Sequence, residues 1–91
     1  MSITIRVPST LQPLAEGKRE VESTSETVAA AIASLDERYP GIAPKLLDGD
    51  GKLRRYINLY VNQTDVRFLA GLESELKDGD ELSIVPAVAG G

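Results

Sequence analysis

The 91-residue sequence contains no cysteine, no histidine and no tryptophan, and only one phenylalanine and one methionine. Without cysteine, neither disulfides nor thiolate chemistry can contribute. Without histidine, the usual general base and the commonest metal ligand are both missing. Basic residues are in the minority: 10 Lys and Arg stand against 14 Asp and Glu, a net charge of −4. That balance argues against nucleic acid or an anionic membrane as the main partner. No apolar run approaches membrane-spanning length, and Met1-Ser2-Ile3-Thr4 opens onto a strand pattern rather than a leader segment, so the expected location is cytoplasmic. A chain of this length makes one small domain with little room for a deep catalytic cleft.

What is present is 42% hydrophobic, enough for a single core. Ile3, Ile5 and Val7 alternate with Thr4 and Arg6, the period of a half-buried strand that Pro8 closes. Ser9 to Leu14 reads as a hairpin connection with Leu11 and Leu14 tucked beneath it. Glu16-Gly17 turns the chain into a short, polar edge strand around Lys18 to Glu22, with Val21 inward. The one convincing helix is Val28 to Arg38. Thr27 is its best N-cap, although Ser23 with Glu26 also fits a capping box. Val28, Ile32, Leu35 and Tyr39 form a single apolar stripe, and Pro40-Gly41 ends the helix.

Ile42 to Leu47 is expected as a loop with one helical turn after Pro44. Asp48-Gly49-Asp50-Gly51 is a turn; as a calcium loop it fails, because Lys52 and Leu59 stand where ligands are needed. Arg55 to Asn62 is the clearest strand, with Ile57, Leu59 and Val61 on one face and Tyr56, Asn58 and Tyr60 on the other. A turn at Asn62-Gln63-Thr64-Asp65 leads to a short strand, Val66 to Phe68; its match to a glycosylation sequon carries no meaning without a secretory signal. Leu72 and Leu76 bracket an irregular stretch. Asp78-Gly79-Asp80 starts the last strand, Glu81 to Val85, with Leu82 and Ile84 inward.

Strand, strand, helix, strand, short strand, strand, with one apolar helix stripe, predicts an α+β protein: a mixed sheet covered on one face by a single main helix. The first and last strands are expected side by side in its middle. This is the β-grasp, or ubiquitin-like, arrangement. After the last strand come Pro86, Ala87, Val88, Ala89, Gly90 and Gly91. Proline ends the strand for want of an N–H, and small residues offer nothing to pack. The expected division is a folded body over residues 1–86 and a flexible tail over residues 87–91. The two glycines leave the terminal carboxylate unhindered, so the tail can be threaded through a narrow channel.

With fold and tail together, the chain resembles the ubiquitin-like sulfur carriers of the MoaD/ThiS family. The resemblance rests on Thr27-Val28, Arg38-Tyr39-Pro40-Gly41, Val61-Asn62, Leu76-Lys77-Asp78-Gly79-Asp80-Glu81 and the ending Val88-Ala89-Gly90-Gly91. Tyr56 to Asn62, Asp65-Val66-Arg67-Phe68 and Pro86 to Gly91 are similar to the branch that serves cysteine biosynthesis. The resemblance implies a carrier rather than an enzyme. An E1-like adenylyltransferase would couple the Gly91 carboxylate to AMP with ATP, no cofactor being bound by the carrier itself. Sulfur would then displace AMP and leave a thiocarboxylate. A pyridoxal-phosphate cysteine synthase or another acceptor enzyme would take the sulfur, and a JAMM-type metalloprotease would release the product. Gly91 is the implied modified residue, with Gly90, Ala89 and Val88 as the tail that partners recognise.

Tyr56, Tyr60 and Val85 are expected on the sheet face away from the helix, either as partner anchors or as cross-strand packing. Lys52, Arg54, Arg55 and Arg67 could steer an acidic partner, but read more simply as a solvated edge. Asp65 stands where the molybdopterin branch tends to be apolar. Besides sulfur carriage, the small subunit of molybdopterin synthase, a modifier joined to lysines through Gly91, and an inert interaction domain remain open. An independent enzyme is disfavoured, since no pair of remaining polar groups has catalytic spacing. The chain is expected to be a monomer alone.

Overall fold

The computed structural model describes residues 1–87; Val88, Ala89, Gly90 and Gly91, and with them the expected tail-recognition and modified residues, lie outside the described residues. The chain forms β1 (Ile3–Arg6), β2 (Glu20–Ser23), α1 (Val28–Arg38), α2 (Ala43–Leu46), β3 (Ile57–Val61), β4 (Thr64–Asp65) and β5 (Glu81–Pro86). The strands lie in one sheet in the order β2-β1-β5-β3-β4. β1 and β5 run parallel at its centre, and the other pairings are antiparallel. This is the β-grasp fold, with α1 over one face.

Alternation along the strands decides what that face buries. Ile3, Ile5, Val21, Ile57, Leu59, Val61, Leu82 and Ile84 are all buried, and they meet the helix stripe of Val28, Ile32, Leu35 and Tyr39. Ala31, fully covered, lets the helix sit close to the sheet. Thr27 is the N-cap: its Oγ1 accepts the Ala30 N–H at 3.1 Å. The competing capping box does not form, because Ser23 Oγ instead accepts the Ser25 N–H and contacts the Ser25 hydroxyl at 2.8 Å. Past the helix, Asp36 Oδ1 accepts N–H bonds from Gly41 and Ala43, both 3.0 Å. That carboxylate folds Pro40-Gly41 back and starts α2.

Two local expectations are corrected. Leu14 is 37% exposed, and Ala15 takes the buried place instead, at 0%. The reason is a 3-10 turn, Gln12–Ala15, whose tighter winding turns the small residue inward. Val66–Phe68 is likewise a 3-10 turn and not a strand. Asp65 causes it: its Oδ1 accepts the Arg67 N–H at 2.8 Å, so the chain curls after only two residues of β4. Asn62, at φ 59, opens the tight β3–β4 turn in the left-handed region that Asn tolerates. Its side chain ties that turn to β5, accepting the Glu81 N–H at 3.1 Å and donating to Asp80 Oδ1 at 3.2 Å.

Candidate functional site

The candidate site is the end of β5 and the sheet face around it. β5 lies between β1 and β3, so its last residues leave the sheet from the middle rather than from an edge. In the β3–β5 ladder, Asn62 N–H donates to Glu81 O at 2.7 Å, and Ala87 N–H donates to Tyr56 O at 2.6 Å. Odd-numbered residues of β5 therefore carry the bonds to β3. Pro86, opposite Ile57, falls at a non-bonded position of that ladder, where its missing N–H costs nothing. Toward β1 the ladder has no continuation either, because Pro8 follows that strand. The strand thus ends between two prolines, and the last described anchor is the Ala87–Tyr56 bond.

On the open face, Val85 stands opposite Asn58, and Tyr60 stands opposite Ser83 on one side and Asp65 on the other. Val85 is 42% exposed and Tyr60 half-buried. They are diagonal neighbours across the β3–β5 pair, close enough for a Tyr ring to cover the valine. Tyr56, 52% exposed, sits one residue before β3 beside the strand exit. The three expected docking residues therefore share one region of the surface.

Charged side chains surround them in two groups. Arg6 bridges Glu81 at 3.4 Å and Glu20 at 3.7 Å, a chain of charges across β2, β1 and β5. Arg67 is a clamp and not a solvated steering charge. Its guanidinium donates to Asn58 Oδ1 at 2.5 Å and to Ile57 O at 3.1 Å, and lies 3.4 Å from Asp65 Oδ2. Sequence reasoning missed this use. The available signal was the Asp65-Val66-Arg67 spacing, which sets up a side-chain-capped turn that throws the arginine back over β3. Arg54 is also engaged, its Nε donating to Pro44 O at 2.8 Å. Lys52 and Arg55 are exposed.

A broad open recess of about 480 Å³ lies between α2 and the Asp48 turn, lined by Asp36, Pro44, Leu47, Asp48 and Arg54 among others. Its polar groups serve the backbone: Asp48 Oδ1 accepts N–H bonds from Asp50 at 2.9 Å and from Lys52 at 3.0 Å. Those bonds hold the Asp48 carboxyl below its usual range, helped by the charges of Arg54 and Lys52. Among the described residues, no cluster of three or more acidic side chains could hold a metal ion, and no helix is long and apolar enough to cross a membrane. The buried hydroxyl of Ser74 accepts the Ala70 N–H at 3.0 Å, a structural use. What the described arrangement offers is a folded body whose central strand ends beside the exposed Tyr56 and Val85.

Comparison with known proteins gives the family. The family model described as "ThiS family" matches residues 5–91. The sulfur carrier protein CysO of Mycobacterium tuberculosis is 43% identical over 93 residues, covering 100% of both chains. The CysO chain in the crystal structure of the Amycolatopsis orientalis BexX/CysO complex superposes with a TM-score of 0.92 at 46% identity, over 98% of this chain and 99% of that one. Small archaeal modifier protein 3 of Haloferax volcanii is 38% identical over 65 residues, 71% of this chain and 70% of that protein.

Proposed function

Because this chain belongs to the ThiS family, we propose that it is a sulfur carrier whose Gly91 carboxylate is adenylated and then converted to a thiocarboxylate. The observation that carries this reading is its sequence similarity over the full length to a sulfur carrier protein. The folded body over residues 1–86 serves as the grip, and residues 87–91 as the tail that enters a partner's active site. A carboxylate is a poor electrophile because its charge is shared by two oxygens. One of those oxygens attacks the α-phosphorus of ATP, and pyrophosphate leaves. The mixed anhydride no longer carries the carboxylate charge, and AMP is a good leaving group. Hydrosulfide then attacks the carbonyl carbon of Gly91, the bond from that carbon to the AMP oxygen breaks, AMP and a proton depart, and the resulting thiocarboxylate is a soft, anionic nucleophile.

The carrier supplies no catalytic side chain to these steps. Gly90 allows close backbone approach in a partner's channel, and Val88 and Ala89 fit by main-chain contacts and small pockets. The partners required are an E1-like adenylyltransferase that uses ATP and a sulfur-accepting enzyme, a pyridoxal-phosphate cysteine synthase in the cysteine branch. There, a JAMM-type metalloprotease would release the product. Docking of a protein such as BexX, seen with a similar carrier, fits the same role. A second reading is a modifier joined to lysines through Gly91, favoured by the similarity to a small archaeal modifier protein. Both use the same activated terminus.

Intact-mass spectrometry after incubation with ATP, a sulfur donor and the adenylating enzyme separates them. Exchange of one oxygen for sulfur on the chain supports carriage, and adducts on lysines of other proteins support modification. Deleting Gly90 and Gly91 is expected to abolish both while leaving the melting curve in place. A chain that stays unmodified under these conditions overturns the proposal.

A further inference from the structure

The chain has a single phenylalanine, and among the described residues it is the most exposed large hydrophobic side chain. Phe68 is 83% exposed, and Leu69 beside it 48%. Ala70 follows, exposed as well, so three consecutive apolar residues face solvent. Single exposed hydrophobic residues are ordinary; a run of three on a fixed loop is less so. This loop is fixed. Asp65 caps its start through the Arg67 N–H, Leu69 N–H donates to Val66 O at 2.9 Å, and Ala70 N–H donates to the buried Ser74 hydroxyl at 3.0 Å. Ser74 is itself tied to the helix, its carbonyl accepting the Val28 N–H at 3.1 Å. Leu69 and Ala70 continue into an open recess of about 530 Å³ with Glu73, Ser74, Glu75 and Lys77. Two acids against one lysine leave an excess too small to set a partner's sign, and Arg67 is engaged with Asp65. What the loop offers is therefore apolar contact.

The length of the tail says what covers this loop. Ala87 is bonded to Tyr56 O at 2.6 Å, and the four residues beyond it can span at most about 14 Å when fully extended. An enzyme that takes the Gly91 carboxylate into its active site must therefore bring its surface up against the folded body. A standard interface covers about 800 Å² on each partner, a patch about 30 Å across. Centred where β5 ends, such a patch takes in the loop. β4, which leads into the loop, lies two strand spacings from β5, about 10 Å. Arg67, next to Phe68, reaches the Ile57 carbonyl, and Ile57 pairs with Pro86 at the end of β5. We propose that Phe68 and Leu69 form an apolar anchor for the protein that receives the tail, which covers them with an apolar socket beside its slot. A fixed loop loses little freedom on docking, and a buried aromatic ring supplies affinity that four small tail residues lack. This rests on the carrier reading, and it adds a second point of attachment to the tail itself.

Biolayer interferometry of the full chain against purified BexX, the protein found with a similar carrier, tests it. Phe68→Ala, on a side chain that the fold hardly touches, is expected to keep the wild-type melting temperature and to raise the dissociation rate roughly 10- to 30-fold. Phe68→Leu, still apolar, is expected to stay within about threefold of wild type. The loss in the alanine variant should be the same at about 0.05 M and about 1 M salt, since screening does not act on an apolar contact. Glu37→Ala, at an exposed position of α1, should change the rate by no more than about twofold. Equal dissociation of the alanine variant and wild type, a leucine variant as weak as alanine, a loss that disappears at high salt, or no association of the wild type overturns the anchor. So does a wild-type dimer in light scattering that Phe68→Ala dissolves, which would give the loop to a second copy. Intact-mass exchange of oxygen for sulfur, read separately, decides carriage whichever way these rates fall.

Discussion

Arg67 offers the sharpest test of the local physics. Its guanidinium binds the Asn58 side chain and the Ile57 carbonyl while facing Asp65. The Ile57 carbonyl points to the side of β3 that two-residue β4 fails to cover, so the arginine supplies the donor that a longer strand would have supplied. A net intramolecular hydrogen bond is worth about 1 kcal/mol, and the side chain's 46% exposure discounts each of the two. The partly screened ion pair adds a few tenths, giving about 1.5 kcal/mol for Arg67→Ala. At roughly 4–8 °C per kcal/mol for a domain this small, the melting temperature should fall by roughly 6–12 °C. Arg67→Lys is the discriminating variant, since an ammonium keeps the charge but cannot fork to two acceptors. Most of the loss should remain. Arg55→Ala, on an exposed side chain, should stay within about 0.5 kcal/mol. Chemical denaturation of the three variants measures all of this. Full stability in the lysine variant, or a cost below about 0.3 kcal/mol for alanine, would refute the clamp and restore a solvated charge.

Two further outcomes follow from side chains that serve the backbone. Thr27→Ala removes the acceptor of the Ala30 N–H and should cost about 1 kcal/mol in urea denaturation, with Thr27→Ser restoring most of it; an equal loss in the serine variant would mean that packing, not capping, is at stake. Asp48 is held ionised by N–H groups of Lys52 and Asp50, so its folded pKa lies below the usual 3.8. Its contribution is present above that value and is lost as pH falls through the lowered folded pKa. The stability gap between wild type and Asp48→Asn should therefore be open at neutral pH and close in acid. A gap that stays constant across the acid range contradicts the linkage.

Periodicity made the large elements legible. Val28, Ile32, Leu35 and Tyr39 can share a stripe only on a helix, and Ile57, Leu59 and Val61 can share a face only on a strand. Given a single stripe, one covered sheet face follows, and all these residues are buried in it. What stayed illegible depended on polar side chains that bond the backbone out of register with any period. Asp65 converted an apolar-looking Val66–Phe68 from strand to 3-10 turn and left Phe68 83% exposed. Ser23, half of a formally adequate capping box, was taken by its neighbour Ser25. Arg67 read as a surface charge because nothing in its immediate sequence shows that a carbonyl ten residues earlier lacks a partner. For the site, the ending Val88-Ala89-Gly90-Gly91 was visible as a pattern.

The two margins of the sheet bear on how such a body can be handled by other proteins. β2 is one margin; its odd residues bond to β1, so the Glu22 carbonyl faces outward, and there Arg38 Nη1 from α1 donates to it at 2.8 Å. At the other margin, the Ile57 carbonyl is met by Arg67. Each margin thus has an outward carbonyl occupied by a guanidinium drawn from elsewhere in the fold, together with charged side chains that discourage strand addition. For the carrier proposed above, margins that recruit strands would be a disadvantage, because lateral pairing would hold it to whichever partner came first. With these carbonyls capped, lateral pairing starts at a disadvantage. The same arginines that stabilise the body therefore also narrow the ways in which it can be gripped.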